Sequence, residues 1–512
     1  MNALLNWITG GGGGKSQRKA AGSSSRAGNA GGHRMIRARY DATMPDVHND
    51  RHWAMADSLS ARTANSPGVR EKLRNRARYE VANNCYARGI CNTLADVEIG
   101  YGAVIQIPRP PQAPLGQREA AKEVERLFEE WASEVDLWGK LWTLRISKAT
   151  DGEAFGVFRN NPRLDSLVSL DLQIIEAEQV THGINPDFDP MQVDGVDVDG
   201  YGNVIRYHVL PEHPGDGYGW QGSPMEVPAA ACIHWYRVDR PGQVRGVPEI
   251  TPALPLFAQL RRYTLATLTA AESAADIAAV IKSSIVPQYE EGEDPGIEYL
   301  DIHRGMFMTL PDGRDISQLK AEQPTTTYSE FKREILAEIG RCLNMPRAIA
   351  LGDAAEYNYA SGRLDRQAFD RYVETARWQC EQQVLRKVWS AWWAEASRVP
   401  GYLPAEALEL VGVRRPKWLW RVLGHVDRKK EEDGRATALE NNTTTLAEEC
   451  GREGLWWEDV LEQRAAERER ARELGLPTGS GAVGQPSGDS GQLDDQNGAG
   501  DTAEEGVNED AI

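Results

Sequence analysis

A helical pattern that ends at a proline constrains the fold of this chain more than any other feature. In residues 328–344, apolar side chains recur at every fourth position and form one apolar helix face. These side chains are Phe331, Ile335, Ile339 and Leu343. Met345 comes next and then Pro346, which lacks the amide hydrogen that another helical turn would need. A longer helical pattern covers residues 363–398, so the sequence predicts a loop at 345–362 held between two helices.

The first half of the chain combines helical and strand patterns. Helical periodicity covers residues 119–131 and, further upstream, residues 52–95, where a second helix is predicted to start near Pro67. Strand patterns are separated by clusters of Gly, Pro and Asp, and they cover residues 167–180, 204–210 and 231–238. The predicted fold class is therefore α+β.

A second long helical pattern covers residues 248–281. Pro252 and Pro255 are predicted to lie in the first turn of this helix, because only the first turn tolerates proline. Small residues follow at every fourth position, which would let another helix pack closely: Ala266, Ala270, Ala274 and Ala278. Beyond this pattern, residues 306–319 predict a β-hairpin whose turn is Pro311–Asp312–Gly313.

The composition is that of a globular protein with unstructured ends. A chain of 512 residues exceeds what one hydrophobic core usually serves, and a 41% hydrophobic content can fill more than one. Residues 1–34 are Gly, Ser and Ala with scattered bases, while residues 478–512 hold eight acids and no base. Disordered arms are therefore predicted at 1–34 and 475–512, and the net charge of −18 is partly a property of the tail.

Cysteine usage and hydropathy point to a protein of the cytoplasm. No apolar run approaches the ~20 residues of a membrane-spanning helix, and the first eleven residues are a poor secretion signal. The six cysteines match neither a disulfide framework nor a CxxC metal pair, so they are predicted to be reduced thiols.

Three segments look like ligand sites but lack the surrounding pattern that such sites need. Residues 10–16, GGGGGKS, approach a phosphate-binding loop, yet Thr9 replaces its first glycine and no apolar helix follows. The glycines in residues 217–222 have a dinucleotide-like spacing without a strand and a helix around them. Residues 196–200, VDVDG, lack the first carboxylate and the closing glutamate of a calcium loop.

The remaining polar residues suggest no reaction chemistry. The nine histidines show no metal-ligand spacing, and His208 and His234 fall in strand patterns that predict packed core imidazoles. Asp151 and Glu153 could form a carboxylate pair, but the Asp-Gly step between them predicts a turn into a strand. The sequence predicts no catalytic residues, no metal site and no cofactor.

At the helix–loop–helix pattern the chain resembles the phage portal proteins of the lambda family. The resemblance rests on FKREILAEIGRCLNMPRAIALGD, then NYASGR, then the long Trp-rich helix. Residues 51–100 agree as well, and so does SKATDGEAFGVF at 147–158. Similar blocks extend over roughly residues 35–470, and their order and spacing carry the specificity.

The resemblance implies a portal fold that assembles as a ring. By order along the chain, the implied parts are a disordered basic arm (1–34), an α+β wing (35–250), a stem helix (251–283), a small β-containing clip (284–327), a second stem helix (328–344), a tunnel loop (345–362), a long helix (363–398), a crown-like helical region (399–474) and a disordered acidic tail (475–512).

The function that the resemblance implies is a channel rather than an enzyme. A homo-oligomeric ring of twelve copies would sit at one capsid vertex and pass double-stranded DNA in during packaging and out during ejection, without sequence specificity. Its implied partners are the terminase large subunit, capsid or scaffold proteins, and later head-tail connector proteins. Assembly would take place in the bacterial cytoplasm, from a phage or prophage gene, and no membrane is involved.

A channel for DNA should be acidic where the duplex slides, because the duplex carries a charge about every 1.7 Å and basic contacts would stall it. The candidate residues are Glu272 and Asp276 in the stem, Asp353, Glu356, Tyr357 and Tyr359 in the tunnel loop, and Met306 and Phe307 on a partner surface of the clip. Two plainer interpretations stay open: the tyrosines pack beneath the loop, and the acidity only keeps the protein soluble.

Two other classes of protein stay open at this point. A non-ring adaptor or scaffold protein of phage heads would share the helices, and a P-loop nucleic-acid ATPase would require residues 10–16 to bind nucleotide. On the long helix, the arginines are predicted to form intersubunit or solvated ion pairs; they are Arg363, Arg366, Arg371 and Arg377.

Overall fold

The computed structural model describes residues 51–108, 114–182, 191–216, 223–275, 279–283, 314–318, 328–353, 355, 359–409, 415–421, 428–453 and 455–476. The predicted arm at 1–34, and nearly all of the predicted tail and clip, lie outside these residues. The chain divides into two units, Met1–Leu59 and Ser60–Ile512. In the first unit the Asp57 carboxylate accepts a hydrogen bond of 3.0 Å from the Leu59 amide. All elements below belong to the second.

Three helices open the second unit: α1 (Ala61–Ala64), α2 (Pro67–Asn83) and α3 (Cys85–Glu98). Pro67 lies in the first turn of α2, as predicted, because that turn needs no intrahelical amide donor. The Asn84 side chain caps α3 by accepting hydrogen bonds from two amides of its first turn. Residues 53–60 are not helical, so the helix predicted at 52–95 begins too early.

A short strand and two long helices follow: β1 (Ala103–Gln106), α4 (Leu115–Glu134) and α5 (Leu137–Asp151). The amphipathic helix predicted at 119–131 is confirmed in α4, whose apolar face is buried through Val124, Phe128 and Trp131. Asp136 separates the two helices in a left-handed conformation, with φ of 49°, and its carboxylate caps α5.

Two antiparallel sheets form the β part. The first has the order β3–β2–β8, and the second has the order β4–β5–β6–β7. The strands are β2 (Glu153–Asn160), β3 (Leu170–Ile175), β4 (Gln192–Val193), β5 (Val196–Val198), β6 (Val204–Val209), β7 (Met225–Pro228) and β8 (Cys232–Tyr236). The strands predicted at 204–210 and 231–238 are confirmed as β6 and β8. The one predicted at 167–180 is shorter, because Ala177–Gln179 forms a 3₁₀ helix.

The second long helix, α6 (Leu254–Ala275), ends earlier than predicted. Helix was predicted to Ile281 and a stem helix to residue 283, but β9 (Ala279–Ser283) lies there and pairs with β10 (Arg314–Gln318). The four-residue alanine repeat continues to Ala278 and conceals this change from helix to strand. Half of the predicted hairpin, RDISQ, is therefore a strand whose described partner is β9. The segment MFMTL lies outside the described residues.

The predicted helix–loop–helix is confirmed in type, but its loop is shorter. The elements are α7 (Tyr328–Arg341), α8 (Arg347–Leu351), α9 (Tyr359–Cys380), a π-helical turn (Glu381–Leu385) and α10 (Arg386–Ala396). The first helix ends at Arg341, three residues before the predicted end at 344, and Asn344 then has a left-handed conformation with φ of 53°. Pro346 instead starts α8, since proline suits the start of a helix. Within the predicted loop at 345–362, residues 347–351 and 359–362 are helical.

The last elements return to the first strand. β11 (Lys417–Trp420) pairs antiparallel with β1, and residue 105 faces residue 418. Three helices follow: α11 (Arg428–Glu440), α12 (Leu446–Arg452) and α13 (Trp457–Glu473). Within the described residues, no helix combines the length and the hydrophobicity needed to span a lipid bilayer.

Three buried cores hold these elements together. The first is aromatic and joins α4 to α10; Phe128 meets Trp392 edge-on with ring centroids 5.2 Å apart. The second joins α2, α3, α6, α7 and α9, with Phe257 and Phe369 fully buried. The third lies within the β part around Phe155 and Tyr207. The segment that the sequence singles out, α6 to α9, thus rests on the second core.

Candidate channel segment

Helices α6 and α7 form an antiparallel pair. Tyr263 of α6 stacks on Tyr328, the first residue of α7, with ring centroids 5.6 Å apart. Tyr263 also meets Phe331 edge-on at 4.9 Å. The start of α6 and the end of α7 contribute to one core through Leu254, Phe257, Leu260, Leu336 and Ile339. Each helix therefore has one end in the core. The start of α7 lies beside Tyr263, and α6 continues past this point to Ala275.

The outer part of this pair is apolar and exposed. Leu265 and Leu268 in α6 are 55% and 56% exposed, although Leu260, earlier in the same helix, is 3% exposed. Phe331 in α7 is 49% exposed. The apolar stripe predicted for α7 is thus buried at its end, where Ile339 and Leu343 lie, and exposed at its start. Large apolar groups in this position are typical of a surface that another chain covers.

Helix α8 fixes the point from which the loop leaves. It packs back onto α7, and an added Cβ on Gly340 would lie 2.9 Å from the Ala350 Cβ. Met345 and Ala350 are buried in the second core. Gly352 ends α8 in a left-handed conformation, with φ of 67°. The chain therefore enters the loop from a rigid base rather than from a flexible stretch.

The described structure contains three of the predicted channel residues. Glu272 is exposed near the end of α6, and Asp353 is exposed directly after α8. Tyr359 is the first residue of α9, which the sequence placed in the loop. The others lie outside the described residues: Asp276, Met306, Phe307, Glu356 and Tyr357.

Asp353 is not an isolated negative charge. One carboxylate oxygen accepts the Ala355 amide at 2.9 Å, and the other lies 3.5 Å from an Arg333 nitrogen of α7. Arg347 lies 3.7 Å from Glu334 nearby. Bases of the α7–α8 corner therefore offset part of the acidity that the sequence predicts at the loop.

A buried ion-pair network lies beneath this segment, and the sequence analysis did not predict it. Arg145 of α5 is fully buried, donates to Glu98 of α3 at 2.7 Å, and lies 3.0 Å from Glu249. Lys148 of α5 lies 3.1 Å from the other oxygen of Glu249. Because these residues are far apart in the sequence, no spacing signals that they meet.

The same network reaches the helix that follows the loop. The Tyr372 hydroxyl of α9 donates to Glu98 at 3.3 Å. Arg377 donates to the Val97 carbonyl at 2.8 Å and is half-buried, which corrects the prediction of a solvated or intersubunit pair for this arginine. Glu249 lies just before α6, so the network links the chain ahead of α6 to α9.

Mutual attraction keeps these buried groups charged. Burial opposes ionisation of Glu249, but Arg145 and Lys148 outweigh it and lower its pKa to about 2. Burial also opposes the charge on Arg145, yet Glu249 and Glu98 raise its pKa well above its ordinary value. Removing one partner would leave a buried charge without compensation.

A second buried cluster surrounds Glu153 at the start of β2. Arg245 contacts its carboxylate at 2.7 Å and 2.8 Å, and His234 lies 3.2 Å away. Burial lowers the pKa of His234 to about 4, although Glu153 partly opposes this. Despite burial, Arg245 and His234 hold the pKa of Glu153 well below its ordinary value. The prediction of a packed His234 is confirmed, and Glu153 is an ion-pair partner rather than half of a carboxylate pair.

One cluster in the second sheet has metal-ligand chemistry, and the sequence analysis did not predict it. His182 and His208 each place Nε2 3.0 Å from an oxygen of Asp197. However, the Gly195 amide donates to Nδ1 of His182 at 2.6 Å, so Nε2 must carry the hydrogen. Arg206 also lies 3.0 Å from Asp197. The geometry is that of a satisfied hydrogen-bond cluster, with no free ligand atom on His182.

A second cluster consists of Glu176, Glu178 and His213. Its carboxylates already contact a positively charged side chain of the protein. Arg78 lies 3.2 Å from Glu176 and 3.0 Å from Glu178. The guanidinium occupies the position from which a metal ion would neutralise these carboxylates. Neither cluster among the described residues therefore presents a vacant set of ligands.

A family comparison and a comparison with curated proteins both match this chain to portal proteins. Residues 49–377 match the family described as phage portal protein, lambda family. A probable portal protein of Halomonas phage phiHAP-1 is 24% identical over 446 residues, which are 82% of this chain and 84% of that protein.

The matches to solved structures are weaker. The neck of an empty GTA particle computed with C6 symmetry is 14% identical, with 79% of this chain and 93% of that chain covered and a TM-score of 0.39. An HK97 family phage portal protein from Corynebacterium diphtheriae is 12% identical, with 70% and 96% covered and a TM-score of 0.29.

The matched family is structural rather than enzymatic, and its match excludes residues 10–16, on which the ATPase alternative depends. Neither that alternative nor a non-ring adaptor is favoured. The matched range covers more than half of the chain, from before α1 to within α9, and includes the whole helix–loop–helix segment. The chain therefore belongs to the lambda family of phage portal proteins, and its role is that of a portal channel.

Proposed function

We propose that twelve copies of this chain close into a ring in which α6 and α7 wall a channel for double-stranded DNA. The observation that carries this proposal is the exposed outer end of the helix pair, where Leu265 and Leu268 are more than half exposed. Such side chains lower the free energy of the assembly when a neighbouring copy covers them. The number of copies comes from the family resemblance.

The stem would guide DNA by weak repulsion. Glu272 is exposed near the end of α6, and a ring multiplies its charge by the number of copies. Exposed charges act over a Debye length of about 8 Å at physiological salt, which is enough to keep a sliding duplex centred. Asp276, which follows Ala275, would extend this acidic surface.

The loop between Asp353 and Tyr359 would make the closest approach to DNA. In this proposal the tunnel loop has fewer residues than the sequence predicted, since α8 and the start of α9 occupy the two ends of the predicted loop. Glu356 would repel phosphates, and Tyr357 would make contacts that do not depend on base sequence. Because the loop starts from α8, which packs on the second core, α8 would transmit force from the loop to that core.

The clip at residues 284–327 would dock the terminase motor, and head-tail connector proteins would replace the motor later. The pairing of β9 with β10 supports a compact β-containing unit, because it joins residues 279–283 to residues 314–318. Met306 and Phe307 would contribute apolar contacts to these partners. Energy for translocation would come from nucleotide hydrolysis by the motor.

Mass measurement and imaging of the purified protein test the ring. Light scattering should give about 680 kDa, twelve times the 56.7 kDa of one chain, and electron micrographs should show rings with a central opening. Particles of a single subunit, or closed discs without an opening, would contradict the proposal and restore the adaptor alternative.

A further inference from the structure

A tryptophan-lined pocket lies beside the π-helical turn, away from the channel segment. Its volume is about 340 Å³, and its lining includes Trp389 and Trp393 of α10, Trp418 of β11, and two arginines, Arg386 and Arg415. Trp389 and Trp393 stack with ring centroids 5.9 Å apart. Rigid indole walls of this kind favour an apolar side chain of a ligand.

The two arginines have the charge that an acidic ligand requires. Arg386 and Arg415 are both exposed, and neither forms an ion pair with another of the described residues. Their nearest acid in the pocket lining, Glu381, accepts a hydrogen bond of 2.7 Å from the Trp420 indole. Burial raises the pKa of Glu381, while the Trp420 indole and Arg386 partly oppose this shift. The positive charge at the pocket is therefore available to a ligand.

The π-helical turn shapes this pocket. Residues 381–385 interrupt the long helix between α9 and α10, and Glu381 and Gln382 of that turn belong to the lining. A π-helical turn costs free energy relative to continuous α-helix and is found often at functional sites. Its position at the pocket is a second reason to treat the pocket as a binding site.

We infer that this pocket binds a short acidic peptide segment with one apolar anchor, and that the occupant is Leu493–Asp494–Asp495 of the same chain. Leu493 would pack against the tryptophans that line the pocket, and the two aspartates would pair with Arg386 and Arg415. Charge complementarity supports this occupant, because residues 478–512 contain eight acids and no base. Leu493 is the leucine of this tail, and two acids follow it directly.

The chain is long enough for this contact. Sixteen residues, 477–492, separate the last described residue from Leu493. Fully extended, they span about 55 Å. Lys417 of β11 and Trp457 of α13 line one groove, so α13 begins beside the strand that carries Trp418, and its 17 residues are only about 26 Å long. Tethering also raises the effective concentration of the segment, so a modest intrinsic affinity is sufficient.

Calorimetry with a synthetic peptide of residues 486–500 tests the inference. The full chain carrying Leu493→Ser, Asp494→Asn and Asp495→Asn has its own segment disabled, and it should bind the peptide at one site per chain. The unaltered full chain should bind the same peptide at least fivefold more weakly, because its own segment competes.

Two variants and two peptides decide the outcome. Adding Arg386→Glu and Arg415→Glu should weaken peptide binding at least tenfold, whereas adding Arg464→Glu and Arg468→Glu on α13 should leave it unchanged. A peptide with Leu493→Ser should also bind at least tenfold more weakly, and melting curves should show that every variant is folded.

Four results would overturn the inference, and three of them concern the peptide and the pocket. They are no binding at millimolar peptide, equal binding to the Arg386→Glu/Arg415→Glu chain, and equal binding of the Leu493→Ser peptide. The last result would mean that acidity alone attracts the peptide. Equal peptide affinity of the altered and unaltered full chains would show that the segment does not occupy the pocket in its own chain.

Discussion

Single buried charges of this portal protein depend on partners from distant parts of the chain. Three side chains of the network are at most 3% exposed: Glu249, Arg145 and Lys148. Each charge is therefore stabilised by the opposite charges beside it rather than by solvent. In such a site the loss of one charge costs more than the loss of a surface ion pair, because the remaining charges stay desolvated. The effect of a substitution there is therefore large and specific to the network.

Substitution of Glu249→Gln should destabilise the fold by about 3 kcal/mol. The amide keeps the size of the side chain but leaves Arg145 and Lys148 short of one negative charge. Urea denaturation at pH 7 measures the change. The matched control is Glu272→Gln on the exposed end of α6, which should change stability by about 0.5 kcal/mol or less. A loss below about 1 kcal/mol for Glu249→Gln would contradict the role given to the network.

Acidification should weaken the fold in two steps. His234 has its pKa lowered to about 4 in the folded chain, so the unfolded chain binds this proton first and stability falls between about pH 6.5 and 4. Glu249 has its pKa lowered to about 2, so its contribution is lost between about pH 4.5 and 2. Urea midpoints measured from pH 7 to pH 3 should follow this course.

The variant His234→Phe separates the first step from the second. Phenylalanine can stack between Phe155 and Tyr236, as the imidazole does, but it cannot take up a proton. Between pH 7 and 4 the stability of this variant should fall less than that of the unaltered chain, by on the order of 3 kcal/mol. Parallel pH profiles for both chains would refute the assignment.

At the scale of elements, α8 determines where the channel loop begins. The helix has only five residues, and its position depends on close packing against α7 at Gly340. A helix this short has little stability of its own, so its packing must hold it in place. Changes that push α8 away from α7 should therefore alter both the stability and the position of the loop.

Substitution of Gly340→Ala should cost about 1–3 kcal/mol, because the new methyl group would lie 2.9 Å from the Ala350 Cβ and 3.0 Å from the Met345 carbonyl oxygen. Thermal melting measures the loss. Gly89→Ala in α3 is the control: nothing lies within 4 Å of that position, and alanine should stabilise the helix by roughly 0.5–1 kcal/mol. An unchanged melting temperature for Gly340→Ala would show that α8 adapts without cost.

Local patterns predicted the type of most elements, while contacts between distant residues set the features that were missed. The helix break ahead of Pro346 and the strands β6 and β8 depend on residues close in sequence, and these elements are confirmed in type, although α7 ends three residues earlier than predicted. The strand β9 continues an alanine-rich helix, and its partner lies some thirty residues away. The Glu98–Arg145–Glu249 network joins three separate segments and leaves no periodic trace in the sequence.

For the whole molecule, the ring would complete surfaces that one chain leaves open. Double substitution of Leu265→Glu and Leu268→Glu should leave the subunit folded and prevent ring closure, because charges would then face the neighbouring copy. Light scattering should show monomers. The control Leu461→Glu with Leu474→Glu alters exposed leucines near α13 and should still form rings. Rings from the first variant would place the intersubunit contact elsewhere.

Charge reversal tests the acidic channel. Rings carrying Glu272→Lys and Asp353→Lys should assemble but package DNA more slowly at low salt, since the lysines attract phosphates; higher salt should restore part of the rate. The measurement is the length of DNA packaged per unit time with the cognate motor and empty heads. Rings with Glu467→Lys and Glu469→Lys on α13 provide the control. Normal packaging by the first ring would argue that these acids only aid solubility.

The pairing of β1 with β11 has a consequence for biosynthesis. Ile105 cannot pair with Trp418 until the ribosome has translated most of the protein. The strand β1 therefore stays unpaired while the intervening helices are synthesised. Until then its hydrogen-bonding edge is open to the wrong neighbour, including the same strand of a nascent copy on one messenger. Prematurely terminated chains should aggregate through this edge rather than enter a ring.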